Sequence, residues 1–195
     1  MTQYLQVMSN ILRQQIEAFV PLTDEEFELV LSRFSAKKFK KHQIIIREGE
    51  YVHNDYFLVN GLMKVSYIDS EGKEHIVQFG MEHCWITDPQ AYHHQTTATL
   101  QVDCLEDCDT LFITLQNREK LCREVQKMEY FFSKQATANY IQFQHRILCL
   151  ISSSVKEQYD KLVSNYPGLI QRVPKSLIAS FLGVSRETLS RLASA

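Results

Sequence analysis

The chain has 195 residues, 45% hydrophobic and 11% aromatic, with 21 Lys and Arg against 23 Asp and Glu for a formal charge of −2. At roughly 150 residues per domain this length holds one domain with an appendage, and the composition is rich enough to bury a core, which excludes both a disordered chain and a histone-like polycation. An acidic partner would have to be met by a local basic patch.

Leu5, Met8, Leu12, Ile16 and Phe19 recur at spacings of three and four and predict an amphipathic helix that Pro21 ends. Polar residues from Gln3 to Glu17 interrupt this stretch, so it does not read as a secretory signal. No run reaches the ~18 apolar residues of a membrane span. The chain is therefore expected to be cytoplasmic, with no membrane partner. Its five cysteines are an odd count without regular spacing and are expected to be reduced. Thr23 and Glu26 read as a capping box for a second helix carrying Phe27, Leu29, Val30, Leu31 and Phe34.

From about Ala36 to Thr114 the pattern becomes strand-like. Seven runs rich in Ile, Val, Phe, Tyr and Thr are predicted as strands: 43–47, 55–59, 62–68, 74–79, 84–87, 96–104 and 110–113. Asn60-Gly61 suits a tight hairpin and Asp69-Ser70-Glu71-Gly72 a second turn. Short strands at this spacing imply an antiparallel β-roll within an α+β chain, not a parallel sheet.

After Leu115 the pattern is helical again. Phe132, Ala136, Tyr140, Phe143, Ile147 and Leu150 form one stripe and Ile141, Leu148 and Ile151 a flanking one, on a long helix with one face for the roll and one for a second copy of the chain. The alternative is that both stripes are buried within one monomer. A further helix is expected over 155–166, before Pro167-Gly168. The implied organisation is 1–126 for the N-terminal helices and roll, 127–154 for a dimerisation helix and 155–195 for a small C-terminal domain. Residues 169–195 hold Arg172, Lys175, Arg186 and Arg191 against Glu187 alone, whereas residues 74–117 hold seven acidic residues and no Lys or Arg. The C-terminus is thus the basic end.

Within it, Leu177, Ile178, Phe181 and Leu182 make an apolar helical face, Ala179 permits close approach, Gly183 stops the helix, Val184 plugs the corner and Ser185 caps a following helix whose Leu189 and Leu192 turn back. This is the pattern of a helix-turn-helix. It leaves Arg186, Glu187, Thr188, Ser190 and Arg191 as a polar face for the major groove of double-stranded DNA. Arg186, Glu187 and Arg191 are the candidate base readers, while Lys175 and Ser185 suit phosphate. The competing reading is a helical hairpin whose charges are merely solvated.

Gly183-Val-Ser-Arg-Glu-Thr-Leu-Ser-Arg191 resembles the recognition-helix motif of the Crp/Fnr family of bacterial transcription regulators. Ile45-Ile-Arg-Glu-Gly-Glu50 and Tyr56-Phe-Leu-Val-Asn-Gly-Leu-Met-Lys-Val65 are similar to the start of that family's cyclic-nucleotide-binding-like jelly roll. The resemblance covers about residues 20 to 195. It implies a β-roll, a long dimerisation helix and a C-terminal DNA-binding helix-turn-helix, hence a homodimeric regulator and not an enzyme. The chain stops about ten residues after Ser185, so a short DNA-contacting surface is expected.

The chain departs from the family where cyclic AMP would sit. Thr96-Thr97-Ala98 stands in place of the phosphate-binding Arg-Ser-Ala-like run, with no Lys or Arg between Lys73 and Arg118. A dehydrated cyclic phosphate needs charge-assisted donors, so cyclic AMP is not the expected effector. Phe79, Trp85, Asp88, Tyr92, Thr96, Thr97 and Tyr140 are the residues expected to surround the remaining pocket, which either takes an unidentified small-molecule effector or is simply filled. The first cysteine is Cys84, which disfavours an N-terminal iron–sulfur site, and His83, Cys84, His93, His94, Cys104 and Cys108 lack metal-site spacing; no metal or cofactor is expected. No catalytic motif is recognisable. The rival functions are a sensory module whose head no longer grips DNA, and a cyclic-nucleotide receptor using donors such as Lys134 or Arg146 from the partner copy.

Overall fold

In the computed structural model, which describes residues 3–192, helix starts follow the local capping chemistry. Thr23 Oγ1 accepts from the Glu26 N–H and the Glu26 carboxylate accepts from the Thr23 N–H, so α2 (Asp24–Ser32) begins where the capping box places it. Before it, α1 (Gln3–Glu17) buries Met8, Leu12 and Ile16 along one face. Phe19 lies beyond the end of α1 and is 40% exposed, although its ring meets that of Phe131 edge-on.

Among the described residues eight strands follow, one more than the sequence pattern reveals. They are β1 (Ser35–Phe39), β2 (Ile44–Ile46), β3 (Asn54–Asn60), β4 (Met63–Ile68), β5 (Glu74–Gly80), β6 (Trp85–Ile86), β7 (Gln101–Cys104) and β8 (Cys108–Thr114). They form two four-stranded sheets, ordered β1-β8-β3-β6 and β2-β7-β4-β5. The additional strand, β1, has four of its five residues exposed, so it carries no apolar alternation; pairing with β8, from Ser35 opposite Phe112 to Phe39 opposite Cys108, makes it a strand. The expected run 96–104 contracts to Gln101–Cys104, with Thr97 forming only a single bridge to Tyr51.

The Asn60-Gly61 turn is not the expected hairpin. β3 and β4 lie in different sheets, so the turn is a corner between them. Gly61 has φ +113°, and a Cβ there would sit 2.6 Å from the Asp107 carbonyl oxygen and 2.7 Å from Cys108 Sγ. The 69–72 turn does join neighbouring strands, β4 and β5.

β3 explains how the roll is filled. Alternate side chains point to opposite faces: Phe57 and Val59 join Leu12, Ile16, Leu121 and Phe131 in one core, while Tyr56 and Leu58 join Met63, Val65, Tyr92 and Val102 in another. Burial of a large apolar side chain contributes ~1.5–3 kcal/mol, so both faces of this central strand stabilise the roll. Between β6 and β7 lies α3 (Pro89–His94), and after β8 come α4 (Leu115–Glu124) and the long α5 (Lys127–Ser152).

The remaining helices are α6 (Val155–Asn165), α7 (Pro167–Arg172), α8 (Lys175–Phe181) and α9 (Arg186–Leu192). α7 occupies a stretch the sequence reading leaves without an element: Pro167-Gly168 looks like a stop, yet Pro167 takes the first helical position, where its missing N–H is harmless. By compactness the chain divides into two units, Met1–Val65 with Phe79–Gln135 and Ser66–Gln78 with Ala136–Ala195.

Candidate nucleic-acid interface

The α8–α9 corner is built by backbone hydrogen bonds that only a left-handed residue permits. Gly183 has φ +70°, the Val184 N–H donates to Ala179 O at 3.0 Å and the Gly183 N–H donates to Ser180 O at 3.1 Å. This is the Schellman pattern, which satisfies carbonyls the end of α8 would otherwise leave unpaired. Leu169, Val173, Ile178, Ala179, Leu182 and Leu189 are all buried, giving the head a small core of its own. The inward packing expected of Leu192 lies outside the described side chains.

On the other side of α9, Arg186, Glu187, Ser190 and Arg191 are exposed and Thr188 is half-buried; Lys175 is exposed at the first turn of α8. Ser185 Oγ accepts from the Thr188 N–H at 3.2 Å and lies 3.1 Å from Thr188 Oγ1, so both hydroxyls are engaged at the helix start. Hydrogen bonding to its own backbone N–H and to Ser185 holds the Glu187 carboxyl below the usual carboxylate range, with Arg186 and Arg191 adding to the effect. Glu187 is thus an acceptor at neutral pH. The face that remains turned outward is Arg186, Glu187 and Arg191, with Lys175 on the preceding helix.

Within the same unit, the C-terminal half of α5 presents apolar side chains to solvent. Tyr140, Phe143, Ile147 and Leu150 follow a seven-residue repeat and are 69%, 38%, 58% and 47% exposed, and Ile151 is 75% exposed. Arg146 is engaged by its own head: its guanidinium lies 3.6 Å from the centroid of the Phe181 ring and its Nη2 donates to the Phe181 carbonyl oxygen.

The residues expected around an effector pocket do not converge. Tyr92 is fully buried in the core between the sheets and its hydroxyl donates to Ile113 O at 3.3 Å. Trp85 instead packs in the other core, its ring 5.3 Å from that of Phe57 and 5.8 Å from that of Phe132. Thr96 and Thr97 are exposed, Phe79 is half-buried on β5, and Tyr140 belongs to the other unit. Asp88 is 1% exposed and caps α3: it accepts from the Ala91 N–H at 3.0 Å, the Thr99 N–H at 2.8 Å, Thr99 Oγ1 at 3.1 Å and the Leu100 N–H at 3.1 Å. The Thr96 and Ala98 N–H groups donate to Ala91 O at 3.0 Å and Glu50 O at 2.8 Å. Asp88 followed by Pro89 is a helix-start signature, so this role was within reach of the sequence. Glu82 accepts from the Gly61 N–H at 3.1 Å.

Arg118 of α4 lies 3.3 Å from the buried Asp55 and stacks over Phe132 at 4.1 Å. No local signal links residues 63 positions apart, and sequence reasoning missed the pair. Among the described residues no group of three or more His, Cys, Asp or Glu is placed to hold a metal, and no helix is long and apolar enough to cross a membrane.

Comparison with known proteins agrees with this architecture. A family model described as the cyclic nucleotide-binding domain matches residues 36–125. The anaerobic regulatory protein of Bacillus subtilis (strain 168) is 24% identical over 183 residues, covering 88% of this chain and 76% of its own. Among solved structures, FixK2 from Bradyrhizobium japonicum has a TM-score of 0.70 at 16% identity, covering 83% of each chain. The c-di-GMP responsive global regulator CLP of Xanthomonas campestris has a TM-score of 0.69 at 14% identity, covering 88% of this chain and 90% of its own. A crp/fnr-family protein of Eubacterium rectale has a TM-score of 0.68 at 14% identity, covering 89% and 82%.

Proposed function

We propose that this chain, which carries a cyclic-nucleotide-binding-like domain at residues 36–125 within the fold of the Crp/Fnr regulators, is a DNA-binding transcription regulator acting as a homodimer. The observation that carries the reading is the α8–α9 corner: a glycine-stopped, serine-capped helix pair with its own core and an outward basic face. Arg186 and Arg191 have the donor geometry for guanine O6 and N7, ionised Glu187 can accept from cytosine N4, and Lys175 suits backbone phosphate. The cap leaves Ser185 and Thr188 in a supporting part. Residues 1–126 supply the roll, 127–154 pair two copies through the exposed stripe of α5, and 155–195 form the head.

The 96–100 stretch supports an effector other than a cyclic nucleotide, because the Thr96 and Ala98 N–H groups donate to Ala91 O and Glu50 O, and the Thr99 and Leu100 N–H groups to Asp88. The effector is a small molecule of another class, or the roll serves as a scaffold. Selection of bound duplexes from a random pool tests the function. A dyad-symmetric motif with half-sites about one or more helical turns apart is expected, with affinity falling steeply with salt. Arg186→Ala should relax preference at one base position by roughly 1–3 kcal/mol, and Lys175→Ala should weaken all sequences alike. A folded dimer that enriches no motif would overturn the reading in favour of a sensory module without DNA grip.

A further inference from the structure

Two heads can read two half-sites only if each is held at a fixed angle to the helix that pairs the copies. Between the end of α5 at Ser152 and the start of α8 at Lys175 lie α6, α7 and three non-helical breaks, at Ser153–Ser154, Tyr166 and Val173–Pro174. Covalent connection alone therefore leaves the head several places to turn.

Arg146 bypasses these breaks. It sits on α5, 35 positions before Phe181, yet its guanidinium stacks on the Phe181 ring and donates to the Phe181 carbonyl oxygen. Phe181 is the last residue of α8, where helix carbonyls lack intrahelical partners and the helix dipole favours a cation. Arg146 is half-buried, with a carbonyl and a ring as its partners and no paired carboxylate among the described residues. A desolvated guanidinium in that setting is held by directional contacts, and its planar fork is suited to stack and donate at once. Next to Phe181, Ser180 Oγ donates to Glu74 O of the β4–β5 hairpin at 2.8 Å, a second tether on the same turn.

The face of α5 used for this contact is separate from the apolar stripe. At 100° per residue, Arg146 lies roughly 80° and Cys149 roughly 140° around the helix from the centre of the Tyr140, Phe143, Ile147 and Leu150 stripe. One side of α5 thus holds its own head while the other remains available to a second copy. We propose that Arg146 is a positioning residue that fixes the head on α5 and so determines which half-site spacing the dimer accepts; this rests on the DNA-binding reading above.

The test uses the full-length dimer and duplexes carrying the selected half-sites at separations varied one base pair at a time over a helical turn. The native protein is expected to favour one spacing by on the order of ten-fold or more. Arg146→Ala and Arg146→Lys should flatten that profile to within about three-fold, because Lys keeps the charge without the planar stack. Base preference within each half-site should be unchanged, a combination that loss of folding cannot produce. Phe181→Leu, which removes the ring face but keeps an apolar side chain, should flatten the profile too, and adding it to Arg146→Ala should flatten it no further. A variant profile as sharp as the native one, or joint loss of spacing and base preference, would overturn the proposal. A native protein that selects no dyad motif would show the DNA-binding reading itself to be wrong before any variant is made.

Discussion

Asp55, the second residue of β3, is buried, with Oδ2 3.3 Å from Arg118 Nη1 and Oδ1 without a hydrogen-bond partner among the described residues. Burial pushes its carboxyl up to about 6, against the opposing pull of Arg118 and the Tyr56 N–H. In the unfolded chain the same group titrates near 3.9. A folded pKa above the unfolded one means the folded state holds the proton more tightly. This contribution is therefore fully present below pH ~4 and lost as pH rises through about 6. The difference of about two pKa units at ~1.4 kcal/mol each gives about 3 kcal/mol. Asp55→Asn is close in shape and cannot ionise, and carboxylates elsewhere, such as Glu157 and Asp107, are common to both proteins and cancel. Denaturant unfolding of the two proteins at equal concentration, from pH 4 to pH 7.5, reads the difference directly. The stabilities should nearly coincide at pH 4, and the Asn variant should gain on the native protein by on the order of 2–3 kcal/mol by pH 7. A gap that stays flat, or that opens in favour of the native protein, would show that attraction to Arg118 outweighs desolvation and would refute the reasoning.

Two glycines give sharper steric outcomes. Gly61→Ala places a methyl 2.6 Å from the Asp107 carbonyl oxygen at a positive φ, so it should destabilise the first unit by about 3 kcal/mol, read as a lowered denaturation midpoint. At Gly183 nothing lies within 4 Å of a Cβ and only the φ of +70° opposes substitution; Gly183→Ala should cost about 1–2 kcal/mol and Gly183→Asn distinctly less, since Asn tolerates that region. Equal losses for Ala and Asn would remove the left-handed corner as the cause.

Features whose hydrogen-bond partners lie within a few residues of one another were readable from residue order alone. The Thr23 box, the Gly183 stop and the Ser185 cap are hydrogen bonds spanning three to five positions, and each forms where the residue types predict it. The apolar stripe of α5 and the basic face of α9 were legible for the same reason, because a helix of known period converts spacing directly into a face. The remaining features depend on contacts between distant parts of the chain. β1 is a strand because β8 lies beside it, and Asn60-Gly61 is a corner because β3 and β4 pair in different sheets. Trp85 and Tyr92, seven residues apart, fall into different cores. The pairing of Asp55 with Arg118 and of Arg146 with Phe181 joins residues 63 and 35 positions apart. Such contacts form only after the chain has closed long loops, and closure is driven by burial, which has no direction along the sequence.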